Sequence, residues 1–219
     1  MRLIDKFLDF VRRQKLFGQR EKILIACSGG PDSVALTHLL FRIKNLYRLK
    51  LYLGYIEHHW RSPQELTRDK NVVRSLAEEL NIPLIISSLP HRPENEAEAR
   101  QWRYRSLSRI AHKLKIKKIA TAHNCNDFAE TVIFNLVRTG QPKGIPVERK
   151  LDSGLKIVRP LLAISREEIL DFLFRRGLIF VQDATNWQVN YRRNFIRWEI
   201  IPRLKEINPR FTENIFNQN

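Results

Sequence analysis

The segment Ile23-Leu24-Ile25-Ala26-Cys27-Ser28-Gly29-Gly30-Pro31-Asp32-Ser33-Val34-Ala35-Leu36-Thr37-His38-Leu39-Leu40 decides the fold. Its first four residues are apolar and mostly branched, the pattern of a short buried strand. After Ser33 the chain reads as a helix, and two glycines stand between. A strand that passes through a glycine turn into a helix leaves the N–H groups of the turn unpartnered and aimed outward, with the positive end of the helix dipole behind them. Gly29 and Gly30 let the backbone approach an anion closely and take up positive φ. Ser28 and Ser33 add hydroxyl donors, and Pro31 sits where a missing N–H costs little. Ser28, Gly29, Gly30, Pro31, Asp32 and Ser33 therefore form the candidate phosphate-binding loop. Asp32 is its odd member. A carboxylate beside a phosphate repels it unless a cation lies between, so Asp32 is a candidate Mg²⁺ ligand or a seat for a positively charged substrate group. No lysine follows the glycines, which excludes the Gly-x-x-x-x-Gly-Lys-Ser/Thr loop.

Outward from this loop the chain alternates strands and helices, the signature of an α/β fold: a parallel sheet with helices on both faces, an N-terminal helix and a C-terminal helical extension. Residues 1–20 space Ile4, Phe7, Leu8, Phe10 and Val11 as an amphipathic helix with a basic outer face. Residues 21–162 form the nucleotide-binding domain and 163–219 its helical extension. Within it, Leu49–Ile56 reads as the second strand and delivers Glu57-His58-His59-Trp60-Arg61 to its end. Gln64–Leu80 reads as a helix and Leu84–Ser88 as a strand. Glu94–Lys115 is a long helix that places Arg100, Arg103 and Leu107 on one face. Ile116–Ala122 is the fourth strand. It brings Thr121-Ala122-His123-Asn124-Cys125-Asn126-Asp127-Phe128-Ala129-Glu130-Thr131 to the same edge of the sheet, where ligands of open α/β sheets bind. Asn126 or Asp127 is expected to cap the following helix. Ile145–Asp152 reads as loop and Leu155–Leu162 as extended. Ser165 with Glu168 is a capping box that opens a helix ending before Gly177. Phe180-Val181 reads as a short last strand. A terminal helix is expected from about Arg193 to Lys205, with Pro209 marking its end.

The chain has 219 residues, with 39 Lys+Arg against 23 Asp+Glu, a formal charge of +16. That excess points to a polyanionic partner, most simply nucleic acid. Cys27 and Cys125 are the only cysteines, too few for a disulfide framework or a Cys-x-x-Cys metal site. They read as buried or site-flanking thiols in a reducing compartment: the cytoplasm, or the plastid stroma if the chain is organelle-encoded. No apolar run reaches membrane-spanning length and no secretory signal is evident, so no membrane partner is expected.

Ser28-Gly29-Gly30-x-Asp32-Ser33 resembles the PP-loop of enzymes that split ATP into AMP and pyrophosphate. Further matches make the chain similar to the tRNA(Ile)-lysidine synthase family over nearly its whole length. They are Arg100-x-x-Arg103-Tyr104-x-x-Leu107, Thr121-Ala122-His123 with Asn126-Asp127 and Glu130-Thr131, Arg138-x-Gly140, and Arg159-Pro160-Leu161. The most discriminating are Asp183-x-Thr185-Asn186, Arg193-Asn194-x-Ile196-Arg197 and Ile200-Ile201-Pro202-x-Leu204. Two departures stand out. The family usually carries His-x-Asn-His at the end of the second strand, where this chain reads Tyr55-Ile56-Glu57-His58. Many members also continue into C-terminal domains that help hold tRNA, whereas this chain stops at Asn219.

The resemblance implies ATP and Mg²⁺ as cosubstrate and cofactor, with free lysine and the CAU-anticodon tRNA(Ile) as partners; it leaves a homodimer open. ATP adenylates the C2 carbonyl oxygen of the wobble cytidine, lysine displaces AMP, and lysidine results. That product reads AUA rather than AUG and switches charging from methionine to isoleucine. The implied catalytic residues are Asp32, Arg103, His123 and Asp127. Ser28 to Ser33 would hold ATP, and Arg100, Arg192, Arg193, Asn194 and Arg197 would contact tRNA. His123 would polarise the base or take a proton, with a pKa near neutrality. The competing readings are another PP-loop tRNA-modifying enzyme, such as a thiolase, and a non-catalytic RNA- or nucleotide-binding module. The scarcity of cysteine argues against the first. Asp32, Arg103, His123 and Asp127 argue against the second.

Overall fold

The computed structural model describes residues 2–57, 62–89, 91–151, 153–181 and 192–218; the side chains of Glu96 and Arg192 lie outside the description. In chain order the elements are α1 (Leu3–Arg13), β1 (Lys22–Ala26), α2 (Pro31–Tyr47), β2 (Lys50–Glu57), α3 (Pro63–Glu79), β3 (Leu84–Ser88), α4 (Glu96–Lys113), β4 (Lys118–Ala120), α5 (Cys125–Thr139), β5 (Glu148–Lys150), β6 (Lys156–Val158), α6 (Arg166–Arg175), α7 (Arg192–Phe195), α8 (Ile201–Ile207) and α9 (Phe211–Asn217). A π-helical turn, Ile196–Ile200, joins α7 to α8. The six strands form one sheet in the order β3-β2-β1-β4-β6-β5. All neighbours run parallel except β5, which pairs antiparallel with β6.

The alternation along β1 separates two cores. Leu24 faces α4, where it packs with Leu107, Ile110, Ala111 and Ile119. Ile23 and Ile25 face the other layer, built from Phe7, Phe10 and Val11 of α1, Leu36 and Leu39 of α2, Val73 and Leu76 of α3, and Ile169 and Leu173 of α6. The amphipathic α1 thus covers the sheet's second layer, as its spacing implies. Gly54 of β2 allows α4 to sit close: a Cβ there would lie 3.1 Å from Leu107 Cδ2 and 3.2 Å from Leu24 Cδ1.

Two expectations are corrected. Residues 145–152 are not all loop. Glu148–Lys150 is an edge strand with one neighbour and mostly exposed side chains, so no hydrophobic alternation betrays it. Phe180-Val181 is not a strand; the segment makes one ladder-like bond there, from Val181 N–H to Gly29 O at 2.9 Å. The helix expected from about Arg193 to Lys205 is present: α7, the widened π turn and α8 follow one another without a break to Ile207, with Pro202, lacking an N–H, just after the π turn, and α9 lies beyond Pro209. Phe216 of α9 packs edge-on against Phe10 and Phe128, with ring centroids 5.8 and 5.1 Å away. Tertiary packing of this kind, rather than propensity, stabilises so short a helix.

Candidate active site

β1 and β4 are neighbours in the sheet, and the strand order runs away from them in both directions, which makes their carboxyl ends the topological switch point. A cleft of about 370 Å³ opens there. The loop after β1 forms its floor. Gly29 adopts φ +82°, and a Cβ on it would meet Val73 Cγ2 at 3.3 Å and the Asp69 carbonyl at 3.4 Å. Glycine is therefore required twice, by conformation and by space. Gly30 is the N-cap of α2 and Pro31 its first residue. The Ser28 N–H donates to Ser33 Oγ (3.2 Å), which donates in turn to Gly30 O (2.9 Å). Ser33 therefore braces the loop from inside, while Ser28, Gly30 and Pro31 line the cleft.

The starts of α2, α5 and α6 converge on Asp32. Asn124, not Asn126 or Asp127, caps α5: its side chain accepts from Asp127 N–H, and Asp127 Oδ2 accepts from Asn124 N–H. The cap comes two or three residues earlier than expected, and Asp127 is the reciprocal member of a capping box. Asn124 Nδ2 also donates to Asp32 Oδ1 at 3.1 Å, and Arg166 Nη1 lies 3.7 Å from Asp32 Oδ2. Asn126 Oδ1 holds the Arg166 N–H at 2.9 Å, tying α6 to α5. Burial first, then the charge of Asp127, raises the Asp32 carboxyl to about 6, against the pull of Arg166. Two carboxylates from separate strand ends thus face one another across the loop.

Behind them lies a network of acids and arginines. Glu130, 1% exposed, accepts from Arg197 Nε at 2.6 Å and Nη2 at 2.9 Å. Arg197 Nη2 also reaches Asp127 Oδ1 at 3.1 Å. Arg193 Nη2 donates to Thr131 Oγ1 at 2.7 Å, and its Nε lies 3.7 Å from Glu130. Burial pushes the Glu130 carboxyl up, and Arg197 opposes the shift. Arg193 and Arg197, expected to contact tRNA, make these bonds to side chains of α5. The Arg192 side chain lies outside the described residues, and Asn194 is half-buried.

His123 lies on the cleft wall with Nδ1 3.0 Å from Thr121 Oγ1. Burial, followed by Arg159, Arg100 and Arg193, holds its imidazole well below the ordinary range, against the charge of Asp127. The direction is downward from the expected pKa near neutrality. Arg100, Arg103 and Tyr104 line the opposite wall from α4. Asp32 offers oxygen ligands at the phosphate floor and faces Asp127, which fits Mg²⁺, an ion held by one or two carboxylates with substrate phosphates.

The PP-loop domain family model matches residues 2–204. The tRNA(Ile)-lysidine synthase of Petrotoga mobilis is 31% identical over 222 residues, covering 96% of this chain and 69% of that protein. The chain belongs to the tRNA(Ile)-lysidine synthase family of PP-loop proteins. The Thermosipho africanus and Symbiobacterium thermophilum synthases are 37% and 40% identical, over 98% and 94% of this chain but only 52% and 44% of theirs. The chain thus spans about half the length of these curated relatives. In fold it is similar to the U34-tRNA thiolase NcsA from Methanococcus maripaludis (TM-score 0.80, 18% identity, 98% of this chain and 76% of that one). It also resembles an NH3-dependent NAD synthetase from Campylobacter jejuni (TM-score 0.52, 13% identity, 98% and 90%).

Where tRNA(Ile)-lysidine synthases usually carry His-x-Asn-His, Tyr55 is buried in the core and Glu57 pairs with Lys70 of α3. His58, His59, Trp60 and Trp187 lie outside the described residues, and Trp102 packs edge-on against His91 at 4.3 Å. The site also includes residues absent from the expected set: Asn124, Glu130 and Arg166 around Asp32 and Asp127, and Asp69, which is 2% exposed on the cleft wall. The Thr-Ala-His-Asn and capping-box motifs carried a local signal for Asn124 and Arg166, but their convergence on Asp32 is tertiary.

Proposed function

We propose that this chain forms lysidine: it adenylates the wobble cytidine of the CAU-anticodon tRNA(Ile) with ATP and then joins lysine to it. What supports this reading most is that Ser28, Gly30, Pro31, Asp32, Ser33, Arg103, His123 and Asp127 line one cleft at the sheet's switch point, in a chain of this family. In the first step the C2 carbonyl oxygen of the cytidine attacks the α-phosphorus, and pyrophosphate leaves. In the second, the lysine ε-nitrogen attacks C2, loses its proton, and AMP leaves with the carbonyl oxygen.

The residues suit those steps. The loop N–H groups and Ser28 would hold the phosphates. Asp32, with Asp127 beside it, would hold Mg²⁺, which offsets charge on the leaving pyrophosphate. Arg103 would stabilise charge at the α-phosphate. Neutral His123 would take the proton from the amine. Asp127 and Glu130 form the acidic neighbourhood suited to a lysine ammonium, with Arg197 as their present partner. Arg100 is exposed at the cleft mouth, where a flipped base or its phosphate would pass.

The test is incubation of the protein with tRNA, ATP and labelled lysine. The expected products are label in tRNA, AMP and pyrophosphate, all lost in Asp32→Ala and His123→Ala. ADP, or undiminished ligation by either variant, would refute the assignment. A thiolase reading gains nothing from this chain's cysteines: both thiols are buried, and burial pushes Cys125 up to about 12.

A further inference from the structure

Helix α6 opens on a cation. Ser165 caps it and Arg166 is its first residue, followed by Glu167 and Glu168. The first turn of a helix carries the positive end of the dipole, so it favours acids and disfavours an arginine. The two glutamates obey that rule and have their own partners. Glu168 closes the capping box and pairs with Lys6 at 2.7 Å, and Glu167 pairs with Lys205 at 2.7 Å. Arg166 goes against it. Its backbone N–H is fixed to Asn126 Oδ1 at 2.9 Å, and its side chain lines the cleft.

That side chain has donors to spare. Its acidic neighbour is Asp32, with Nη1 3.7 Å from Oδ2, too long for a hydrogen bond, and the side chain is 34% exposed. A pair of that kind contributes little. Arg197, by contrast, holds Glu130 at 2.6 and 2.9 Å. A guanidinium carries five N–H donors, and among the described residues those of Arg166 make no hydrogen bond. Helix α6 packs on α2, whose N-terminus is the phosphate-binding turn. Arg166 thus stands beside the loop, whereas Arg100 and Arg103 reach the cleft from α4.

We infer that Arg166 is a further substrate-contacting residue: it leaves its loose pair with Asp32 and grips the β- and γ-phosphates of ATP, the part that departs as pyrophosphate. The inference rests on the proposed reaction for the identity of the nucleotide. A base that enters past Arg100 must reach the α-phosphorus, so the departing phosphates lie toward the loop, where Arg166 is. Their paired oxygens match the guanidinium fork better than one distant carboxylate does. Asp32 is then free to hold Mg²⁺. Charge on the departing phosphates rises as the bond to the α-phosphorus breaks, so the contact strengthens during that step.

Wild type, Arg166→Met, Arg166→Gln and Arg166→Lys test it. Binding is measured to inorganic pyrophosphate, to a non-hydrolysable ATP analogue and to AMP, each with and without Mg²⁺, together with kcat and KM for ATP in ligation. Loss of charge-assisted hydrogen bonds is expected to weaken pyrophosphate and the ATP analogue about 10- to 100-fold in Arg166→Met and Arg166→Gln, and AMP less than about twofold. Arg166→Lys keeps the charge without the fork and should recover part of the loss. The loss for pyrophosphate should persist without Mg²⁺, because the contact is direct. In ligation kcat should fall and KM for ATP should rise.

No pyrophosphate binding by wild type, or equal affinity in wild type and Arg166→Met, would overturn the contact. So would an equal loss for AMP and the ATP analogue, which would place Arg166 at the α-phosphate or the nucleoside. A loss confined to the Mg²⁺ arm would overturn it too, since Arg166 would then act only through Asp32. Should Arg166→Met fail to fold, Arg166→Gln and Arg166→Lys still decide the matter. A wild type that binds these ligands in the expected pattern but makes no lysidine sinks the proposed reaction and leaves this inference standing.

Discussion

Asp32 sits at the point where binding and stability oppose each other. Its carboxyl is raised to about 6 by burial and by Asp127, whereas an unfolded aspartate titrates near ~3.9. Between those values the folded chain keeps a proton that the unfolded chain has lost. The stabilisation is therefore fully present below pH ~4 and is lost as pH rises through about 6. Asp32→Asn should consequently raise stability at pH 7–8 by about 1–3 kcal/mol, read as a higher midpoint in denaturant, and change little below pH ~4. It should also abolish ATP-dependent ligation. A variant less stable at pH 7 than wild type would show that Asn124 and Arg166 outweigh the repulsion. The same logic separates Asp32 from Glu130. The latter is more deeply buried, but it has a bidentate arginine at 2.6 and 2.9 Å, which offsets most of the cost of burying it.

At the scale of the element, α5 is the helix on which the site turns, and Asn124 serves it twice: as cap for its first turn and as donor to Asp32. Asn124→Ala removes both and should cost about 1–2 kcal/mol. Asn124→Ser restores a capping oxygen but is too short and has no amide to reach Asp32. Its stability should return toward wild type while its KM for ATP remains raised; recovery of both together would assign Asn124 to capping alone. This division also shows what the sequence could reveal. Ser28–Ser33 is legible because strand, glycine turn and helix are local, and each residue's chemistry is its own. Arg100, Arg103 and Leu107 are legible because helical spacing puts them on one wall. Arg159 and Arg166 are not, since each acquires meaning from partners elsewhere in the fold: Pro146 for one, Asp32 and Asn126 for the other. The edge strand Glu148–Lys150 escaped for a related reason, because its pairing with β6 and not its composition makes it a strand.

For the molecule as a whole, the charge of +16 has to be accounted for by its distribution. Pairs such as Arg197 on Glu130, Lys6 on Glu168 and Lys118 on Glu21 already cancel within that figure, so the excess lies on other cations. One of them stands at the cleft mouth, on the cleft-lining face of α4, where Arg100 is exposed. If that face is where an anticodon arm lies, binding should be driven largely by release of counterions. For four to seven phosphate contacts at single-strand-like charge density, log Kd should rise with log salt at a slope of about 3 to 5, weakening binding about 60- to 1000-fold between 50 and 200 mM salt. Arg100→Ala should lower that slope by about 1 and weaken binding alike for cognate and unrelated stem-loops, because a phosphate contact carries no sequence information. The ATP analogue, held mainly by loop N–H groups, should respond far less. A slope near zero for the RNA, or an unchanged slope in Arg100→Ala, would move the footprint off α4 and leave the basic excess to a different surface.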